Sequence, residues 1–214
     1  MSAKKIELIG LPGSGKTFIV ENFLEKEGFL VLKKPYGFNT KSGVFGFFYG
    51  FIKAPYFSFI LLLFLIFRKN IGSVNMKYFH IAQQRFLGLK KNNNKINKTI
   101  LIDEGLLHAI YSMMFGTKKS KVSGFFLNHL VKIASKTICI YIFINTDKNT
   151  CIEHFKERDT ASRFNFRSND ELIKDFEKDN SYNEIITALN NKTKDKLVIV
   201  KNTTEAIDYI DSEY

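Results

Sequence analysis

Tryptophan is absent from this 214-residue chain, cysteine occurs twice and histidine four times. Cys139 and Cys151 do not form a metal-ligand spacing, and no secretion signal precedes them. Cys139 falls in an apolar strand and Cys151 in a helix-like stretch, so both are expected to be buried thiols. His80, His108, His129 and His154 also lack a metal spacing and receive no role. No internal repeat occurs, and low complexity is confined to Lys90–Lys98, an expected exposed loop. The longest apolar run, Ala54–Phe67, is fourteen residues with Ser58 its one clearly polar member. A spanning helix needs about twenty, so none is expected. The chain runs from its start into a strand, leaving no room for a cleaved targeting peptide. The expected location is the cytoplasm, with peripheral contact at the inner membrane face as an option.

Arginine is scarce where lysine is not. Of 32 basic residues only Arg68, Arg85, Arg158, Arg163 and Arg167 are arginine, and the formal net charge is +11. Such a charge suits nucleic acid, an anionic membrane or a phosphorylated ligand. The lysines are scattered among asparagines, as at Lys90, Lys91, Lys95 and Lys98, which reads as a solvated surface. Nucleic acid is therefore not an expected partner.

What is present is an alternation of strands and helices. Lys5–Ile9 is a short strand, and residues 16–27 repeat apolar side chains four apart, with Gly28 as a natural stop. Further strands are expected at Phe29–Lys33, Thr99–Ile102, Ile138–Ile144 and Lys196–Val200. Thr146 or Asp147 can cap the helix after the fourth strand, and Thr203 or Thr204 the last helix. This order, with few tight hairpins, is that of a parallel sheet layered by helices, and 214 residues suit a single domain.

Gly10-Leu11-Pro12-Gly13-Ser14-Gly15-Lys16-Thr17 fits G-x-x-x-x-G-K-[ST] at every fixed position, with a strand before it and a helix after it. Glycines let successive N–H groups curl round phosphate oxygens, and the following helix turns its positive end toward the same anion. Lys16 can reach the β- and γ-phosphates, and the Thr17 hydroxyl suits magnesium. A nucleoside triphosphate, ATP or GTP, with Mg2+ is the implied ligand.

Asp103 and Glu104 follow the third strand, at the edge where open parallel sheets bind ligands. One carboxylate can lie near magnesium, or hold or deprotonate an attacking hydroxyl; Asp103 stands nearer the strand. The plainer reading is that the pair caps the helix expected at Leu106–Phe115. Arg158, Arg163 and Arg167 fall within ten residues. Their planar forks suit phosphate and the charge of a transferred phosphoryl group. The plainer reading is a solvated surface helix on which Arg158 pairs with Glu157 or Asp159.

These pieces resemble the nucleoside-monophosphate kinase group of P-loop proteins, especially its thymidylate kinase-like and deoxynucleoside kinase-like members. The resemblance rests on Gly10–Thr17, the Asp103-Glu104-Gly105 step, the Arg158…Arg163 segment, the strand Leu197–Val200 and the turn Asn202–Thr204. It implies a three-layer P-loop NTPase fold with a five-stranded parallel sheet in the order 2-3-1-4-5. It also implies a lid over 158–168 and a nucleotide base near Arg158, Asn202 and Thr203. Dimerisation through helices flanking the insert would follow too. The implied activity is transfer of the γ-phosphoryl group of Mg-ATP to a small acceptor: nucleotide-like, a sugar, or a lipid-linked hydroxyl or phosphate. Catalysis would fall to Lys16, Asp103, Glu104, Arg158 and Arg163, and magnesium to Thr17 and Asp103. A regulatory NTPase or membrane-associated switch, using Asp103-Glu104 to activate water, is the alternative. Where these families have Asp-Arg or Glu-Arg, this chain has Asp103-Glu104, removing a substrate-side phosphate or sugar contact.

The resemblance also implies that the aromatic-rich residues 36–98, between strands two and three, are a helical acceptor-side insert. Within it, Ala54–Phe67 is bracketed by Lys53 and by Arg68-Lys69. It reads either as a buried helix or as an interfacial helix that brings 44–69 to anionic lipid. Gln83, Gln84 and Arg85 are candidate acceptor contacts.

Overall fold

The computed structural model describes residues 4–32, 43–69, 71–91, 98–115, 120–157, 173–174 and 177–214. Its five strands are β1 (Lys5–Gly10), β2 (Phe29–Leu32), β3 (Thr99–Ile102), β4 (Ile140–Ile144) and β5 (Leu197–Val200). They form one parallel sheet in the order β2-β3-β1-β4-β5, as expected. The helices are α1 (Lys16–Asn22), α2 (Gly43–Lys53), α3 (Pro55–Phe67), α4 (Ser73–Lys91), α5 (Leu106–Met114), α6 (Lys121–Ala134), α7 (Lys148–Lys156), α8 (Ser181–Thr193) and α9 (Thr203–Glu213).

Alternation along β1 divides the interior into two cores. Ile6 and Leu8 join α1 and α9 on one face. Ile9 joins the larger core of α3, α4, α5, α6 and α8 on the other. β1 pairs with β3 and β4, so it is covered on all sides and every residue from Lys5 to Gly10 is buried.

Several boundaries differ from expectation for local reasons. α1 stops at Asn22, because Phe23 turns inward against the Phe29 ring at 4.7 Å. Leu24 is left exposed, so the four-residue spacing does not continue a buried stripe. Gly28, at φ +88°, turns the chain into β2 instead of ending the helix. β4 begins at Ile140, since the Thr137 and Ile138 amides still bond to Ala134 O at the end of α6. Cys139 is thereby exposed at the mouth of the strand, contrary to its expected burial, while Cys151 is buried.

The described part of the insert is a three-helix unit. Phe47, Phe51 and Phe79 cluster at 5.0–5.9 Å, and Phe57 stacks on Phe86 at 4.3 Å. The burial expected of Ala54–Phe67 holds for one side of α3. Phe57, Ile60, Leu61, Phe64 and Leu65 are buried, whereas Tyr56, Phe59, Ile66 and Phe67 face outward. Arg68 does not serve as a basic flank. Its Nη1 and Nη2 donate to Glu184 Oε2 and Oε1 at 3.1 and 3.2 Å, bolting the end of α3 to α8. Among the described residues no single helix is long and apolar enough to cross a membrane; α2 and α3 qualify only as a pair bent by 118°.

Candidate active site

β1 delivers the chain to Gly10, and the loop that follows is held by its own backbone, Ser14 N donating to Leu11 O at 3.1 Å. Gly13 and Gly15 have φ of +89° and +87°, which side chains rarely adopt. A Cβ at Gly13 would overlap the Cys151 carbonyl, and one at Gly15 would overlap Thr203 Cγ2. Gly15 caps α1 with no side-chain acceptor, so the helix presents its first N–H groups at the loop. Lys16 Nζ donates to Gly10 O (2.9 Å), Leu11 O (2.8 Å) and Ser14 Oγ (3.3 Å), which centres the ammonium on the loop.

The exposed Thr17 Oγ1 donates to Asp103 Oδ2 at 3.3 Å, so the two residues predicted to share a metal do meet. A hydroxyl and a carboxylate here suit a small hard cation that takes its remaining ligands from phosphate and water. Among the described residues no group of three or more His, Cys, Asp or Glu is placed to hold a metal ion by itself.

Neither Asp103 nor Glu104 caps α5. That helix starts at Leu106 with Gly105 as its N-cap and no side-chain cap there, and Glu7 of β1 does the work instead. Its Oε1 accepts from Leu107 N at 2.7 Å and His108 N at 3.4 Å. Burial pushes the Glu7 carboxyl up to about 7, against the pull of these amides and of Arg85. A side chain at position 105 would overlap the Glu7 carboxylate, which accounts for Gly105.

Arg85, on α4, is the one of the three proposed acceptor contacts that reaches the acidic pair. Its Nη1 donates to Gly105 O at 2.6 Å and its Nη2 to Glu104 Oε2 at 3.3 Å. An arginine thus stands beside the acidic step although none follows it in sequence. Glu104 remains 42% exposed, turned toward solvent. Gln83 is committed to packing: it is fully buried and donates to Ser58 Oγ at 2.7 Å. Gln84 is half-buried on the same helix.

Thr203 packs on Gly15 as the first residue of α9, not as its cap; Asn202 Oδ1 fills that role, accepting from Glu205 N at 2.9 Å. The Asn202–Thr204 turn therefore borders the loop. Asp147 caps α7 through Oδ2, one of the two residues expected to do so. His154, which has no role in the motif reading, lies with Nδ1 3.0 Å from Gly13 O. Since the carbonyl only accepts, this nitrogen carries the proton. The i,i+3 spacing of Cys151 and His154 is the signal that one face of α7 rests on the loop. Burial pushes the Cys151 thiol up to about 11, making it a packing residue. A cavity of about 470 Å³ opens beside Leu11, lined by Phe143, Asn145, Lys148, Asp179 and Tyr182 among others. Arg158, Arg163, Arg167 and the lid-like segment 158–168 lie outside the described residues.

No protein-family model and no curated protein matches the sequence. Solved structures do match. With deoxyadenosine kinase from M. mycoides bearing dCTP the identity is 18%, the TM-score 0.54, and 98% of this chain and 97% of that one are covered. The same kinase with products dCMP and a flexible dCDP gives 17%, 0.57, 98% and 97%. With dATP the values are 16%, 0.56, 98% and 98%. The five-stranded parallel sheet and the helices around it are thus those of a deoxynucleoside kinase-like P-loop kinase fold.

Proposed function

We propose that the protein is a P-loop phosphotransferase that moves the γ-phosphoryl group of Mg-ATP to a hydroxyl of a nucleoside-like acceptor. The observation that carries this reading is one strand edge. There Lys16 centres the phosphate loop, Thr17 meets Asp103, and an exposed Glu104 is braced by the buried Arg85. The matched kinase, whose structures hold dCTP, dATP, dCMP and dCDP, supports a nucleoside-like acceptor over a sugar or prenol.

In this scheme the loop amides and Lys16 hold the β- and γ-phosphates in line for transfer. Thr17 and Asp103 would hold Mg2+, which would screen the triphosphate charge. Glu104 faces the acceptor side, where it orients the attacking hydroxyl and takes its proton. Arg85 fixes that carboxylate and supplies positive charge that the families named above place directly after the strand. Arg158 and Arg163 are assigned to the charge developing on the transferred group, and Arg158, Asn202 and Thr203 to the base side of ATP.

The test is transfer from γ-labelled ATP to a panel of nucleosides, nucleotides, sugars and prenols. A labelled nucleoside monophosphate is expected, and Lys16→Ala is expected to lower turnover by about 10²–10³-fold or more. Glu104→Gln should cut kcat while nucleotide affinity holds. Rapid acceptor-independent release of phosphate would move the protein to the NTPase reading, and full activity in Lys16→Ala would overturn the site itself.

A further inference from the structure

A second cavity, of about 270 Å³, lies at the opposite end of the sheet from the phosphate loop. Its lining includes Lys136 and Thr137, just before β4, and Lys90 at the end of α4. The neighbouring Leu89 carbonyl accepts from Lys5, the first residue of β1, which fixes this end as the far one. Lys53, Lys90 and Lys136 are exposed around the cavity, and the buried rings of Phe57 and Phe86 lie within it. Lys90 stands over the Phe86 ring at 4.9 Å. No lining residue is acidic, and among the described residues none of the three lysines forms an ion pair.

The bent junction of α2 and α3 forms one wall. On its outer side Phe48, Tyr49, Ile52, Tyr56 and Phe59 point to solvent, Ile52 being 74% exposed. Lys53 and Tyr56 line the cavity, Ile52 immediately precedes Lys53, and Tyr56 is itself exposed, so the apolar side chains and the cavity share an edge. The start of α3 adds its own positive end, because Ala54 provides no side-chain cap.

Charge along the chain follows the same division. Between Glu27 and Asp103 there is no acidic residue, against twelve lysines and arginines. Residues 28–146 carry a formal +15 and the rest of the chain −4. The net charge thus belongs to the part of the chain that carries this corner.

The geometry points to peripheral docking on an anionic phospholipid bilayer. Lys53, Lys90 and Lys136 take lipid phosphates, and Ile52 with its aromatic neighbours enters the headgroup layer. The 118° bend presents this corner as a wedge, and it leaves the phosphate loop at the other end of the sheet open to the aqueous side. Charge complementarity selects lipid over a second copy of the chain, since two such corners face to face would bring six lysines together with no carboxylate between them. The inference is independent of the phosphotransferase reading, and its test uses no turnover.

The experiment is flotation of the whole protein with phosphatidylglycerol–phosphatidylcholine vesicles and with pure phosphatidylcholine, at low and at high salt. Binding is expected only to the anionic vesicles and is expected to fall steeply with salt. Each lysine at such a surface contributes about fivefold to partitioning. The triple change Lys53→Gln, Lys90→Gln and Lys136→Gln should therefore weaken binding by about a hundredfold. Ile52→Asn should weaken it without altering its salt dependence. Thermal melts establish that both variants fold. Absence of binding to anionic vesicles at low salt overturns the proposal, as does equal binding by the folded triple variant. Competition by inorganic phosphate at constant ionic strength assigns the cavity to a free anion and overturns lipid docking. So does a dimer in sedimentation velocity that Ile52→Asn dissolves while vesicles go unbound.

Discussion

In the phosphate loop, Gly13 and Gly15 hold φ angles of +89° and +87° so that backbone amides can face an anion. In the insert, Gly50 is an ordinary helical residue whose missing Cβ makes room for the Gln83 side chain. The first site is built from main chain and can be read from eight consecutive residues. The second is built from side chains of separate helices that meet only after folding. The contrast extends to charge: Lys16 is held by carbonyls of its own loop, whereas Arg68 reaches 116 residues along the chain to Glu184. A local site should therefore survive changes that loosen the distant one.

The largest expected effect follows from the Arg68–Glu184 pair, whose side chains are 0% and 7% exposed. Arg68→Ala leaves a buried carboxylate without its bidentate partner and should cost about 3–5 kcal/mol of stability. Denaturant unfolding measures this. Nucleotide affinity, measured well below the melting temperature, should hold, because the phosphate loop draws nothing from this pair. A matching loss of affinity would break the separation between the two regions.

That separation also explains what the sequence could disclose. The P-loop was legible because phosphate binding demands particular residues at fixed spacing on a strand–turn–helix. The meeting of Thr17 and Asp103 followed, since both stand at the C-terminal edge of adjacent parallel strands. Sheet order came from resemblance. Arg85 was named as a candidate contact, but its approach to Glu104 depends on how α4 packs, which no local spacing encodes. Glu7 passed as part of an apolar strand. A lone carboxylate in such a run does not say which helix it will cap. Cys139 misled because apolar continuity extends past the point where the backbone joins the sheet.

Glu7 gives a smaller effect that links the two regions, since it lies on the P-loop strand and faces Arg85 of α4 and Tyr141 of β4. Its carboxyl is raised from 4.5 to about 7, so between these values the folded protein binds more protons than the unfolded one. Stability from this group is full below about pH 4.5, declines as pH rises, and is lost above about pH 7. The span corresponds to about 3 kcal/mol. Glu7→Gln keeps an oxygen for Leu107 N and removes the proton. Unfolding curves of both proteins from pH 4.5 to 8 should therefore converge at the acid end and separate toward neutrality, with the variant the more stable. Parallel curves would show that Glu7 ionises alike in both states.

The smallest effect tests the insert glycine directly. A Cβ at position 50 would overlap the Gln83 carboxamide, which is itself tied through Ser58 Oγ to Gly50 O at 3.1 Å. Gly50→Ala gains helix propensity of about 1 kcal/mol but forces Gln83 off its rotamer or α2 away from α4, at about 1–3 kcal/mol. A small net destabilisation is expected. Adding Gln83→Ala should reverse its sign, because the collision disappears and the helix propensity remains. A double-mutant cycle on unfolding free energies reads the coupling between the two positions. Additive behaviour would mean that α2 and α4 do not meet through this layer, and that the insert is held together by its aromatic stacks alone.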